Sequence, residues 1–191
     1  MRKKKPAVFL DRDGTIIRQI ELLHKPSQLK IFPDAAKAIR VFNELGYVTV
    51  IVTNQPVVAR GIIGPKEVDH IHAVLIDRLA KKGGKIDAVY FCPHNPKANV
   101  KKYRIVCKCR KPAPGMILQA AKEHGIDLKK SFLIGDSTQD VLAAKRAKVK
   151  MILVRTGHGG KDPWQYKGKP DYTVKNLSAA AKIIEKLSKK I

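Results

Sequence analysis

The stretch AVFLDRDGT, residues 7–15, begins with four apolar residues and continues into a turn that carries two carboxylates. Residues 7–10 follow a basic start, MRKKK, but they are too few for the apolar core of a signal peptide and predict a buried strand instead. Asp11, Arg12 and Asp13 end that strand, and Gly14 and Thr15 complete the turn. A buried strand ending in paired carboxylates favours an α/β protein with a site at the carboxyl end of the strand.

Strand and helix patterns alternate along the rest of the chain. Beyond residues 7–10, short apolar or β-branched runs predict strands at 47–53, 86–92, 131–136 and 150–157. Helical spacing, caps and stops predict helices at 33–46, 65–83, 114–125, 138–147 and 176–191, the first with Asp34 as an acidic cap. Because strands separated by helices form a parallel sheet covered on both faces, we expect a layered α/β fold.

Length and composition indicate one globular domain over residues 1–191. The apolar fraction of 44% is ordinary for a folded protein and excludes wholesale disorder. No run of residues approaches the eighteen apolar residues that a membrane span needs, so we expect no membrane partner. Together with the absence of a signal-peptide pattern, this predicts a cytoplasmic protein.

The formal net charge of +23 admits two interpretations. It can indicate a nucleic-acid or other polyanionic partner, or a solvated surface that carries many lysines. The lysines are spread along the whole chain, and few aromatic residues lie among them to stack on bases. We therefore favour the solvated surface and expect no nucleic-acid partner.

Polar residues stand where three predicted strands end: Asp11 and Asp13, then Thr53, Asn54 and Gln55, then Asp136 with Asp140 four positions later. Taken singly, these are ordinary turn, cap and strand-end residues. Together at one edge of a parallel sheet, their carboxylates repel one another unless a cation lies between them, and hard oxygen ligands suit Mg²⁺ completed by a substrate phosphate. The set indicates phosphoryl transfer, in which one carboxylate attacks phosphorus and a second carries the proton.

The four motifs in this order resemble the haloacid dehalogenase-like (HAD) phosphatases, which implies a three-layer Rossmann-like fold. DRDGT matches the first motif, VTN the second, Lys111 in CRKP the third and GDSTQD the fourth. The resemblance implies Asp11 as nucleophile and Asp13 as general acid and base, with Thr53 and Lys111 on the phosphoryl group. It also implies Mg²⁺ held by Asp11, by Asp136 and by the backbone carbonyl of Asp13, while Asp140 supports the site without binding the metal.

The three cysteines of the chain form a metal-binding pattern with one histidine. Cys92 and His94 are separated by one residue, and so are Cys107 and Cys109, twelve residues further on. Three thiolates and an imidazole suit a closed, structural zinc site, whereas neighbours at this spacing make a poor disulfide and inert thiols are the remaining alternative. The sequence therefore predicts a zinc-binding loop over 92–109, which positions Arg110 and Lys111 beside the phosphate site.

This loop makes the chain similar to the D-glycero-D-manno-heptose 1,7-bisphosphate phosphatases and the related histidinol-phosphate phosphatases. Shared segments are DRDGTI, VTNQ, ARG, CRKP, PGM and LVRTG. The resemblance implies a monomer with no large cap domain and a small phosphorylated sugar as substrate. Its substrate-binding residues would be Thr53, Asn54, Gln55, Arg60, Arg110 and Lys111.

Two departures from that family pattern bear on the substrate. Pro56 and Val57 follow VTNQ where a small residue and glycine are usual, and segment 18–29 lacks the usual His-Gly-Tyr loop. We expect an Mg²⁺-dependent enzyme that removes the 7-phosphate of D-glycero-D-manno-heptose 1,7-bisphosphate through an aspartyl-phosphate. The alternatives are histidinol-phosphate hydrolysis, for which Glu21 is a candidate contact, and a protein that binds or processes nucleic-acid 3′ ends.

Overall fold

The structure is a computed structural model and describes residues 4–189 of the chain. Within these residues, six parallel strands form one sheet in the order β3-β2-β1-β4-β5-β6. The strands are β1 Ala7–Leu10, β2 Val48–Asn54, β3 Ala88–Cys92, β4 Phe132–Gly135, β5 Lys150–Val154 and β6 Tyr172–Val174. The parallel α/β sheet predicted from the sequence is confirmed.

Helices cover both faces of the sheet. They are α1 Ala35–Glu44, α2 Pro56–Ala59, α3 Pro65–Ala80, α4 Gly115–His124, α5 Thr138–Ala147 and α6 Leu177–Ser188. Val8 and Leu10 of β1 pack with α1, α3 and α6, whereas Ala7 and Phe9 pack with α4 and α5. This period of two with both faces buried is the reason that the first strand reads as a continuous apolar run.

The order of the strands creates a crevice at the centre of the sheet. The chain runs from β1 outward through β2 and β3, then returns to the other side of β1 with β4. The connections that leave β1 and β4 therefore diverge, and ligands of open α/β sheets bind at such a switch point. Asp11 follows β1 and Asp136 follows β4, so the fold sets these two carboxylates at the crevice.

Some local expectations differ from the structure. The short helix α2 and strand β6 had no clear periodic signal, because four and three residues are too few to show one. Asp34 precedes α1 but does not cap it with its side chain; its Oδ2 accepts a hydrogen bond from Ser178 N at 3.0 Å. The expectation for the last helix is confirmed up to Ser188, while residues 190 and 191 lie outside the described part, as do residues 1–3 of the basic start.

Among residues 4–189, every helix is either too short or too polar to cross a lipid bilayer.

Candidate active site

The strand ends surround a cavity of about 530 Å³, and most residues predicted for the site line it. Those residues are Asp11, Asp13, Thr53, Asn54, Gln55, Arg60, Arg110, Lys111 and Asp136. Asp140 is fully buried beneath the cavity floor. A volume of this size suits a ligand as large as a phosphorylated sugar.

The floor of the cavity holds a cluster of three carboxylates and one ammonium group. Oxygen atoms of Asp11, Asp136 and Asp140 lie within 4.8 Å of one another. Lys111 Nζ lies 2.7 Å from Asp11 Oδ1 and 2.6 Å from Asp140 Oδ1. The cluster has a formal charge of −2 when all four groups are ionised, which a divalent cation would balance.

The pKa values of the cluster reflect its excess of negative charge. Burial, with the neighbouring carboxylates, raises the pKa of Asp11 to about 7 although Lys111 opposes the rise. Burial and the charges of Asp11 and Asp140 raise the pKa of Asp136 to about 8. Burial disfavours the charged form of Lys111, but the Asp11 and Asp140 charges outweigh it and raise the pKa of the lysine. A cation bound among these oxygens would favour the ionised carboxylates.

Asp140 acts on its neighbours through both of its oxygens. Oδ1 accepts from Lys111, and Oδ2 accepts from Ser137 N at 3.2 Å and from Ser137 Oγ at 2.6 Å. The contacts with Ser137 are a capping box at the first turn of α5. Asp140 thus joins the lysine to the start of the helix that follows Asp136.

Asn54 holds the backbone of Lys111 in place. Its Nδ2 donates to Lys111 O at 3.1 Å, and its Oδ1 accepts from Lys111 N at 3.0 Å. The same Nδ2 lies 2.9 Å from Gln139 Oε1. Because these contacts occupy the side-chain amide of Asn54, this residue is suited to positioning Lys111. Asn54 also borders the cavity.

A second buried network orients Asp13, and its central residue is Arg12, for which the sequence predicted no role. The Arg12 side chain is 2% exposed and donates to both carboxylate oxygens of Asp13 at 2.9–3.1 Å. It also contacts Gln55 Oε1 at 2.7 Å and His72 Nε2 at 3.1 Å, and Gln55 Nε2 donates to Asp13 Oδ2. The sequence signal that could have pointed to Arg12 was its position inside the DRDGT turn.

Two glycines allow the backbone to approach Asp136 closely. Gly14 and Gly157 have φ values of 77° and 60°, a region that favours glycine. A Cβ atom on either residue would collide with the Asp136 carboxylate. The approach lets His158 N donate to Asp136 Oδ2 at 2.5 Å, which fixes the carboxylate between the β1 and β5 loops.

The four predicted zinc ligands come together at one side of the cavity. Five of the six distances among the thiols of Cys92, Cys107 and Cys109 and Nδ1 of His94 are 3.1–3.6 Å. All three cysteines are unpaired, which excludes the disulfide alternative in this structure. Donors of a tetrahedral zinc site with bonds of about 2.3 Å stand about 3.7 Å apart, so the cluster could hold such an ion. Arg110 continues from it, and its NH1 group donates to His94 O at 2.9 Å.

The cavity wall also contains residues for which, Glu21 excepted, the sequence predicted no role. These are residues 19–23 of the departing segment, together with Ser137, Gln139, His158, Pro163 and Trp164. The loop between β5 and β6 carries His158 and Trp164, which lie beyond the shared segment LVRTG and belong to no motif. Only the folded chain brings it to the carboxyl end of β4.

Comparison with known proteins identifies the family. Residues 108–180 match the HAD-hydrolase-like family model. The chain is 44% identical over 146 residues to the D-glycero-beta-D-manno-heptose-1,7-bisphosphate 7-phosphatase of Rhodopseudomonas palustris, covering 76% of this chain and 81% of that protein. It is 37% identical to the protein of the same name from Pasteurella multocida, over 96% of this chain and 98% of that one.

Solved structures agree with these relatives. The D,D-heptose 1,7-bisphosphate phosphatase of B. bronchiseptica, complexed with magnesium and phosphate, superposes with a TM-score of 0.82 at 31% identity, over 97% of this chain and 99% of that one. The matches confirm the resemblance carried by the four motifs and the Cys/His loop. The chain therefore belongs to the D-glycero-beta-D-manno-heptose-1,7-bisphosphate 7-phosphatase family of HAD-like phosphatases.

Proposed function

We propose that this phosphatase removes the 7-phosphate of D-glycero-β-D-manno-heptose 1,7-bisphosphate. The observation that carries the proposal is the buried Asp11–Lys111–Asp140 cluster beside Asp136, at the switch point of a chain related over most of its length to enzymes with that name. The β-anomer follows the names of the relatives.

The carboxylates divide the chemistry between them. Asp11 attacks phosphorus and forms an aspartyl-phosphate, while the bond from phosphorus to the sugar oxygen breaks. Asp13 gives its proton to that leaving oxygen, then takes a proton from the water that hydrolyses the aspartyl-phosphate. Arg12 and Gln55 support this role because they orient the Asp13 carboxylate by hydrogen bonds.

The remaining residues stabilise the transferred group. The Thr53 hydroxyl donates a hydrogen bond to the phosphoryl oxygens, and Lys111 neutralises their charge. Asp11 and Asp136, with the Asp13 backbone carbonyl, are the hard oxygen donors that would hold Mg²⁺, and the −2 charge of the cluster fits that ion. When bound, Mg²⁺ supplies charge neutralisation to the phosphoryl oxygens. Arg60 and Arg110 line the same cavity and would hold the second phosphate.

The Cys92–His94–Cys107–Cys109 cluster would hold a structural Zn²⁺ ion. Four protein ligands leave no open position, so the ion has no part in the reaction. Its effect is mechanical, because it closes the loop that ends at Arg110 and Lys111 and lowers the entropy lost when these cations are ordered.

We also propose a cytoplasmic monomer without a nucleic-acid partner. Free thiols beside a candidate metal-ligating histidine suit a reducing compartment, and the monomer is what the resemblance to the heptose enzymes implies. A weak salt dependence of retention on immobilised DNA would support the solvated-surface interpretation of the +23 charge.

Histidinol phosphate is the second candidate substrate. Glu21 lines the cavity, where its carboxylate could receive the amine of that substrate. Glu21 lies in segment 18–29, which differs from the pattern of the heptose enzymes.

The test is phosphate release in the presence of Mg²⁺ from both heptose 1,7-bisphosphate anomers, histidinol phosphate, fructose 1,6-bisphosphate and a 3′-phosphorylated oligonucleotide. We expect the β-heptose to give the highest kcat/KM and Asp11→Asn to abolish release while the circular dichroism spectrum is unchanged. A preference for histidinol phosphate would overturn the substrate assignment, and activity retained by Asp11→Asn would exclude the aspartyl-phosphate.

A further inference from the structure

Part of the cavity lining is apolar and is not used by the chemistry described above. It consists of Trp164 and Pro163 together with Ile20, Leu22 and Leu23 of segment 18–29. The Trp164 side chain is 48% exposed, although large apolar side chains are otherwise mostly buried in this chain. Half of an indole left open beside a substrate cavity is a surface that a ligand can cover.

The position of Trp164 is fixed by a buried anchor. Asp162 is 0% exposed, and its carboxylate accepts from Thr138 N at 2.5 Å and from Thr138 Oγ1 at 2.6 Å. Thr138 is the first residue of α5, the helix that follows Asp136. A carboxylate at the N-terminus of a helix is favoured by the backbone N–H groups and the helix dipole, so the loop before Trp164 is held firmly.

His158 holds the ring from a second direction. The imidazole of His158 packs edge-to-face with the indole, with ring centroids 5.8 Å apart and ring planes at 81°. The backbone of His158 is bound to Asp136. Two short links therefore join the indole to the metal-binding carboxylate, and its place in the wall does not depend on a flexible loop.

We infer that Trp164 is a stacking platform for the sugar ring of the substrate and determines specificity in this way. The inference rests on the proposed function. Phosphates and hydroxyl groups occupy the rim of a sugar, whereas its C–H groups form an apolar face that packs on an aromatic ring. The cavity offers both kinds of contact, since Arg60 and Arg110 line it together with the indole.

Trp164 would contact the sugar ring, which does not react. It would therefore stabilise the bound substrate and the transition state equally. Trp164→Ala should raise KM for heptose 1,7-bisphosphate about tenfold and change kcat less than about twofold. Trp164→Phe should recover most of the affinity. The ratio of kcat/KM for the heptose to that for acetyl phosphate, which has no ring, should fall about tenfold in Trp164→Ala.

Tyr166→Ala is the matched control, since Tyr166 is exposed on the same loop but does not line the cavity. Its backbone N–H, which donates to Thr138 Oγ1, is kept in the variant. We expect the KM of this variant to equal that of the wild type.

Trp164 is the single tryptophan of the chain, so its fluorescence reports on the platform directly. In the Asp11→Asn variant with Mg²⁺, heptose 1,7-bisphosphate should change the emission, whereas inorganic phosphate should not. Unchanged emission at a saturation established by calorimetry, or an unchanged KM in Trp164→Ala, would overturn the inference while leaving the proposed function intact. If the wild type does not hydrolyse the heptose at all, the proposed function fails, and the platform fails with it.

Discussion

Lys111 is the residue on which the electrostatics of the site depend. It is 4% exposed and compensates two buried carboxylates, Asp11 and Asp140. Removing one partner of a buried ion pair is costly because it leaves the other charge uncompensated. The lysine therefore serves both the fold and the proposed chemistry, and the two roles can be measured separately.

Lys111→Met should lower kcat for phosphate release by about 10²–10³-fold, because the charge clamp on the phosphoryl group is lost. The variant should also lose about 3–5 kcal/mol in the free energy of unfolding measured without metal. Denaturant titration and steady-state kinetics measure the two effects.

The control is Lys85→Met, because Lys85 also pairs with an aspartate, Asp87, but is 76% exposed. Water screens the charge of an exposed pair, so this variant should behave like the wild type. A loss of kcat below tenfold in Lys111→Met would show that another cation neutralises the phosphoryl group.

His72 predicts a pH dependence of stability. Burial and the neighbouring Arg12 lower its pKa from 6.5 to about 3. Between these values the unfolded chain binds a proton that the native chain does not, so the free energy of unfolding falls as the pH falls. From pH 7.5 to 5 this residue should account for about 2 kcal/mol, at about 1.4 kcal/mol per pH unit once the unfolded histidine titrates.

The measurement is the free energy of unfolding of wild type and His72→Gln across that range. The difference between the two should shrink on acidification, since glutamine does not titrate. His70→Gln is the control, because His70 is exposed on the same helix. A pH dependence of His72→Gln parallel to that of the wild type would refute the prediction.

The loop over 92–109 connects the proposed zinc site to the cations that face the phosphate. It starts at the end of β3 and returns to Lys111, and its Cys/His cluster lies where these two ends meet. The sulfur atoms lie 3.1–3.5 Å apart, close enough to share one zinc ion, whose tetrahedral donors stand about 3.7 Å apart.

Cys107→Ser should lose the zinc that we expect at about one ion per chain, measured by metal analysis of the purified protein. Because Arg110 and Lys111 would be less well positioned, kcat/KM should fall about tenfold or more, while the circular dichroism of the sheet and helices is retained. Val106→Ser, at a site 89% exposed on the same loop, should keep both zinc and activity. Full zinc content in Cys107→Ser would disprove the four-ligand site.

At the scale of the whole molecule, the proposed binding of Mg²⁺ to the carboxylate cluster would be coupled to folding. A ligand that binds only the native chain stabilises it by about 2.7 kcal/mol at a hundred times its Kd. Adding Mg²⁺ should therefore raise Tm by roughly 5–10 °C for a domain of this size. Asp136→Asn should reduce the rise, because it removes a carboxylate donor; an equal rise in that variant would place the ion elsewhere.

The sequence by itself predicted the layered fold and the charged and polar strand-end residues that line the cavity. Buried parallel strands are nearly continuous apolar runs, and polar residues at their carboxyl ends share one edge of the sheet, so β1, β2 and β4 and the polar residues at their ends were readable. The division into one domain stays a prediction. Only the tertiary structure decided that Arg12 orients Asp13, that Asn54 holds Lys111 and that Trp164 reaches the cavity. These contacts join residues through packing between distant elements or through side-chain direction, which neither periodicity nor motif spacing encodes.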